Sequence, residues 1–196
     1  MKTNFPFLLC IVLGFSLNSC IDFKTKAKEE VLEDADFKEV DVEHRYRLSL
    51  PNYMRETTGL NSEASLQYQN IFKETYTIVI DEPKDEFVQV FKELGQYNDE
   101  ISLIKNYRDV QLQLFAQRMN IENQGSPVQL KIDGMDAEMV DIDGTVEGVS
   151  EKISYFLTFV EGRENVYMIM SWTMTSRKEI YKATFEKLAK SLELVK

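Results

Sequence analysis

The chain has 196 residues, with 33 acidic against 23 basic side chains and a formal net charge of −10. That balance argues against a nucleic-acid partner, because such binding rests mostly on neutralising phosphate. One histidine and two cysteines leave few side chains for nucleophilic catalysis or for a metal held by nitrogen and sulfur.

Lys2 is followed by an apolar run from Phe5 to Leu17, broken only by Pro6 and Gly14. The run is shorter than the ~20 residues that a membrane-spanning helix needs, and it fits the apolar region of a secretory signal. It ends in Leu17-Asn18-Ser19-Cys20. A leucine three residues before a cysteine, with a small residue just before it, resembles the bacterial lipobox. That resemblance implies cleavage after residue 19 and lipidation of the Cys20 thiol. Cys10 then leaves with the signal, and no free thiol remains for a disulfide, a metal or a nucleophile. Removing residues 1–19 takes one lysine and no acid, so the mature chain carries −11. Anionic lipid is therefore not expected to hold the protein by charge; the acyl chains are. The expected location is the cell envelope, outside the cytoplasm, on the outer membrane in preference to the inner. Asp22 bears on that sorting by a rule that differs between lineages.

Residues 21–43 carry nine acidic and four basic side chains with no Gly or Pro. They read as a solvated tether, which as a coil spans on the order of 25 Å. The folded domain is expected over 44–196. His44, at the tether's end, reads as a surface residue.

Tyr46, Leu48 and Leu50 alternate with polar residues as in a half-buried strand that Pro51 stops. Asn52 to Ser65 lacks periodicity and reads as a surface loop. Tyr53, Met54 and Leu60 within it are the candidate contacts for a partner or ligand. Leu66 and Tyr68, with Phe72 as an open extension, mark a second strand, and Tyr76 to Ile80 a third. Asp81-Glu82-Pro83 opens a helix, with Phe87, Val88, Phe91 and Leu94 as its buried stripe and Gly95 as its stop. A second helix is expected from an Asn98 cap to about Met119, although Val110 to Leu114 also alternates like a strand. Asn120 to Pro127 reads as a loop.

Val128 to Ile132 and Met135 to Ile142 read as strands joined at Asp133-Gly134, with Asp143-Gly144 turning or bulging the chain. Ile153 to Val160 and Val166 to Met174 follow, joined by Glu161-Gly162-Arg163-Glu164. Both are apolar or aromatic at odd and even positions, so both faces need cover. Ser176 and Glu179 stand at capping-box spacing. They precede a helix with Tyr181, Phe185, Leu188 and Leu192 on one face. This order gives an α+β fold with helices against an antiparallel sheet.

Tyr46-Arg-Leu-Ser-Leu-Pro51, Ile132-Asp-Gly-Met-Asp-Ala137, Tyr155-Phe-Leu-Thr-Phe-Val-Glu-Gly162 and Tyr167 through Trp172 together resemble the PsbP-like superfamily, which includes bacterial DcrB-like lipoproteins. The resemblance covers roughly 44–194. It implies an α/β/α sandwich about a mainly antiparallel sheet of some six strands, in a protein that assembles or stabilises others and is not an enzyme. Histidines linked to metal in the plant photosystem subunit have no counterpart here, so that role does not carry over.

No catalytic set emerges. His44 stands apart from any nucleophile, and the chain has no Gly-x-Ser-x-Gly elbow, Walker A loop or zincin motif. Asp133, Asp136, Glu138, Asp141 and Asp143 are the only acidic group worth weighing for calcium. They fail the EF-hand spacing and fall on alternate strand faces, so they read as turn-forming and solvating acids. No metal and no cofactor is expected. Met168, Met170, Trp172 and Met174 share one strand face, read as core or as an adaptable apolar surface.

The leading functional expectation is a lipid-anchored, non-enzymatic envelope protein that binds or stabilises a partner. The alternative is a module binding a small apolar ligand or lipid in a cavity lined by Met170 or Trp172. A glycan-acting envelope enzyme ranks below both.

Overall fold

The computed structural model describes residues 28–195. The signal segment and Cys20 lie outside the described residues. Eleven strands and three α-helices follow in order. They are β1 (Phe37–Val42), β2 (Tyr46–Pro51), β3 (Arg55–Glu56), β4 (Leu66–Asn70), β5 (Thr75–Pro83), α1 (Lys84–Glu93) and α2 (Leu103–Arg118). Then come β6 (Met119–Gln124), β7 (Val128–Ile132), β8 (Met135–Val146), β9 (Ile153–Glu161), β10 (Asn165–Met174), α3 (Lys178–Lys190) and β11 (Glu193–Leu194).

Eight strands form one antiparallel sheet in the order β3-β4-β5-β10-β9-β8-β6, with β7 also pairing β8. β9 and β10 sit at its centre, as their two-sided apolar sequences require. One face carries Ile78, Val140, Leu157, Phe159, Met168 and Met170, and packs against Phe87 of α1 and Ile104, Tyr107 and Val110 of α2. The other carries Val79, Val160, Tyr167 and Ile169, and packs against Leu188 of α3 and Tyr46, Leu48 and Leu50 of β2. β2 belongs to a small sheet, β1-β2-β11, laid over this second face. The architecture is α+β, with α1 and α2 on one side and α3 with the small sheet on the other.

Several local expectations are corrected. Phe37–Val42, placed by sequence in the tether, is a strand: Val40 pairs with Leu48 and Val42 with Tyr46. Its acids do not prevent pairing, because Arg47 lies 3.3 Å from Asp41 and 3.7 Å from Glu39. Packing against the domain reaches back to Glu30, whose N–H donates to the Ile180 carbonyl at 2.8 Å.

The strand β5 runs through Pro83, and α1 starts only at Lys84. α2 starts at Leu103, not after Asn98. The Asn106 side chain binds the Asn98 main chain at both ends, accepting from its N–H at 2.7 Å and donating to its carbonyl at 2.9 Å. That fixes 98–102 as a structured turn. The segment from Asn120, read as loop, is mostly the strand β6, with a bulge between Ile121 and Asn123. The strand forms because the twelve-residue β8 is long enough to pair β7 along its first part and β6 along its second.

β8 does not turn at Asp143-Gly144; the bulge expected there falls on the facing strand, where Ile121 and Asn123 of β6 oppose Gly144 and Asp143. A Cβ at Gly144 would lie 2.2 Å from the Asn120 carbonyl oxygen, so glycine is required there by the approach of β6. Ser176 makes no capping bond; a 3-10 turn, Thr175–Arg177, leads into α3.

Candidate functional site

Strand register places the side chains of the α1/α2 face in rows. Tyr76, Trp172 and Tyr155 stand directly opposite one another on β5, β10 and β9. Ile78, Met170 and Leu157 form the next row, and Ile80, Met168 and Phe159 the one after. α1 and α2 seal the last of these: Tyr107 meets Phe159 edge to face at 5.8 Å and Phe87 at 5.0 Å. The Tyr107 hydroxyl donates to Glu82 at 2.8 Å. Burial and that carboxylate push the phenol well above its ordinary range, so it stays protonated.

The first row is differently placed. Trp172 stacks on Tyr76 with centroids 5.2 Å apart and planes 11° from parallel. It also meets Tyr155 at 5.8 Å, and Tyr155 meets Phe115 of α2 at 5.4 Å. Cross-strand aromatic pairs of this kind each add roughly 0.2–1 kcal/mol to sheet stability. None of these four rings is fully buried. Between them and α2 lies a cleft of about 250 Å³. Ile78, Ile80, Met168, Met170, Tyr155 and Trp172 form its floor. Leu114, Phe115 and Arg118 form one wall, and Leu60 and Asn61 another.

Such a lining is what apolar ligands use: rigid aromatic faces, adaptable methionines and a few polar groups at the rim. Its polar members are Gln111, Asn61 and Arg118. Gln111 is already engaged, donating to Glu82 at 3.2 Å. A second depression of about 270 Å³ between β7–β8 and α3 is bordered by Lys182, Glu186 and Lys190, and has one aromatic residue, Phe156.

The three loop residues singled out from sequence separate. Leu60 is half-buried and lines the cleft; its N–H donates to the Gln67 side chain at 2.9 Å. Met54 is fully enclosed in the core beside Leu50 and Tyr68, so it presents nothing to a partner. Tyr53 is half-buried, and its hydroxyl donates to Glu30 at 2.9 Å. Burial, and next the Glu30 charge, drive that phenol far above its usual range.

Four of the five acids are taken up by cations on separate faces, and Asp133 accepts from the Leu194 N–H at 3.2 Å. Asp136 lies 2.8 Å from Lys131, and Glu138 pairs with Arg108 of α2. Asp141 and Asp143 both bind Lys178 of α3. The Ser154 hydroxyl donates to Asp143 at 2.7 Å, completing a tie between β8, β9 and α3. Among the described residues no three His, Cys, Asp or Glu side chains converge as metal ligands would. His44 points outward, 3.4 Å from Asp41.

Sequence reasoning missed two polar ties: the Glu30 cluster and the Arg108–Glu138 pair. The second had a signal. Glu138 shares strand parity with Val140 and Ile142, so a face burying those two must also enclose the carboxylate.

No family model matches the chain, and no curated protein sequence does either. Solved structures do. Cyanobacterial PsbP (CyanoP) from Synechocystis sp. PCC 6803 superposes with a TM-score of 0.54 at 13 % identity, over 86 % of this chain and 98 % of that one. A crystal structure from Bacteroides thetaiotaomicron VPI-5482 gives 0.50 at 11 % identity, over 82 % of this chain and 49 % of that one. This chain thus spans about half of that second protein. The fold is PsbP-like. Among the described residues no helix is long and apolar enough to cross a membrane.

Proposed function

We propose that this is a non-enzymatic cell-envelope protein, anchored through lipid on Cys20, that works by binding a small apolar molecule in the cleft over Trp172. The observation that carries the reading is the aromatic row Tyr76–Trp172–Tyr155: Trp172 and Tyr155 face an apolar space beside α2, and Tyr76 backs Trp172 by stacking on it. Met168 and Met170 adapt the floor to the occupant's shape, Leu60 closes over it, and Arg118 or Asn61 at the rim holds any polar end.

The test is titration of the full mature protein with N-phenyl-1-naphthylamine, a dye that brightens in apolar surroundings. Saturable brightening is expected, with loss of at least tenfold in affinity for Leu114→Trp, which fills the cleft. Failure of the dye to bind a folded protein would refute the reading. Stabilisation of a protein partner, the leading expectation from sequence, is proposed as the second reading. Leu60 is the observation that favours it: a half-buried apolar residue on the cleft wall, where a partner's apolar side chain would seat as a free ligand would. Isolation of a partner that competes with the dye would support it.

A further inference from the structure

The turn between β4 and β5 carries Ile71 and Phe72, which are 64 % and 95 % exposed. Adjacent in the chain, the two side chains form a contiguous apolar patch at a hairpin tip, and exposed apolar patches mark contact surfaces. The tip is not loose. The Lys73 N–H donates to the Asn70 side chain at 2.9 Å, and the Asn70 amide donates to the Tyr53 carbonyl at 2.9 Å. Arg177 donates to the Lys73 carbonyl at 3.1 Å and lies 3.2 Å from Glu74. The two apolar side chains are therefore presented on a braced platform.

The same tip marks where the N-terminal chain meets the domain. Glu30 lies 2.9 Å from Lys73 and accepts hydrogen bonds from Tyr53 at 2.9 Å and Thr184 at 3.0 Å. Val31, next in the chain, is 75 % exposed. Cys20 and Glu30 are only ten positions apart in the sequence, a reach of at most about 35 Å and on the order of 17 Å as a coil. The tether is thus much shorter than its sequence suggests.

We propose that the Ile71–Phe72 tip rests in the interfacial layer of the lipid bilayer that holds the Cys20 anchor. The inference builds on the anchoring reading above. Charge does not oppose it, because Glu30 is paired with Lys73 and Glu74 with Arg177. Nor does charge drive it; the contact is apolar, as suits a protein of this acidity. The platform also fixes the molecule's orientation. The Tyr76–Trp172 row lies just beyond the tip along β5, so the cleft sits at the membrane-proximal end of the sheet. An apolar ligand leaving the bilayer meets it first.

The mature chain has no cysteine besides Cys20, so Phe72→Cys in the lipidated protein gives one labelling site for a polarity-sensitive fluorophore. On phosphatidylcholine vesicles the label at 72 is expected to shift to shorter wavelength and to lose at least half its emission to brominated lipid. The same label at Arg163→Cys, in the turn at the opposite end of the sheet, should do neither. Water-like emission at 72 on vesicle-bound protein overturns the proposal. A dry label in native membranes but a wet one on pure lipid also overturns it, and points to a protein partner. Mass measurement of the mature chain tests the anchor separately. An unacylated protein whose label at 72 still enters lipid would refute the anchor and uphold the tip.

Discussion

Glu138 of β8 and Arg108 of α2 form an ion pair in which the carboxylate is enclosed by the sheet, with 2 % of its side chain exposed against 14 % for the arginine. Gln129 donates to the other carboxylate oxygen at 3.2 Å. This contact fixes where α2 crosses the sheet, and therefore where the cleft wall stands. Arg108→Met should leave an unpaired carboxylate in the interior and cost about 3–5 kcal/mol. The double change Arg108→Met with Glu138→Leu should recover most of that loss. Urea unfolding of the three proteins reads the difference; equal stability of the single and double variants would contradict it.

Lys178 draws Asp141 and Asp143 to the start of α3, and the pairing makes stability depend on pH. Burial alone would raise the Asp141 carboxyl, but the Lys178 hydrogen bond and charge outweigh it and hold the carboxyl below its usual value. Burial likewise works to lower Lys178, and its two carboxylate partners raise it instead. A lowered acid stabilises the fold above its unfolded value of about 3.9, and the gain is lost as pH falls through the folded value. A raised lysine stabilises below about 10.4, and the gain is lost as pH rises through its folded value. Lys178→Met should therefore cost most between about pH 4 and pH 10. Its Tm should approach that of wild type on acidification, as thermal scans across pH will show.

Gly144→Ala should cost about 1–3 kcal/mol through overpacking. The added methyl meets the Asn120 carbonyl and the Met119 methyl group, 2.6 Å away. Because Met119 and Val146 border the cleft, dye affinity should fall along with the urea midpoint. A stable variant with unchanged affinity would count against the β6 placement.

Glu30→Gln should loosen the point where the chain joins the domain. Replacing a carboxylate that accepts from Tyr53, Thr184 and Lys73 costs about 2 kcal/mol. Limited proteolysis should then cut near 28–34 faster than in wild type, while the sheet core stays intact.

Much of this fold could be read from periodicity. The runs 153–160 and 166–174 announced a two-sided sheet centre because neither parity was polar, and Tyr181, Phe185 and Leu188 announced α3. β1 was hidden because its exposed side is acidic: Glu39 and Asp41 made a paired strand look like a solvated tether, and their complement, Arg47, becomes visible only once the strands are in register. β6 was hidden because Asn120 and Gln124 are polar on an edge strand. The cleft was half legible. Met170 and Trp172 share a strand face by parity alone, but that α2 stands off from Trp172 and leaves a cleft there depends on where Arg108 anchors the helix.

Trp172 is the only tryptophan in the chain, and it forms part of the cleft floor. Titrating the mature protein with a brominated fatty acid while recording tryptophan emission tests the binding reading most directly, because bromine quenches only on close approach. The account predicts quenching that saturates and is lost in Leu114→Trp/Trp172→Phe, where the remaining tryptophan fills the space. Emission that stays unquenched, or that declines linearly without saturation, would contradict it.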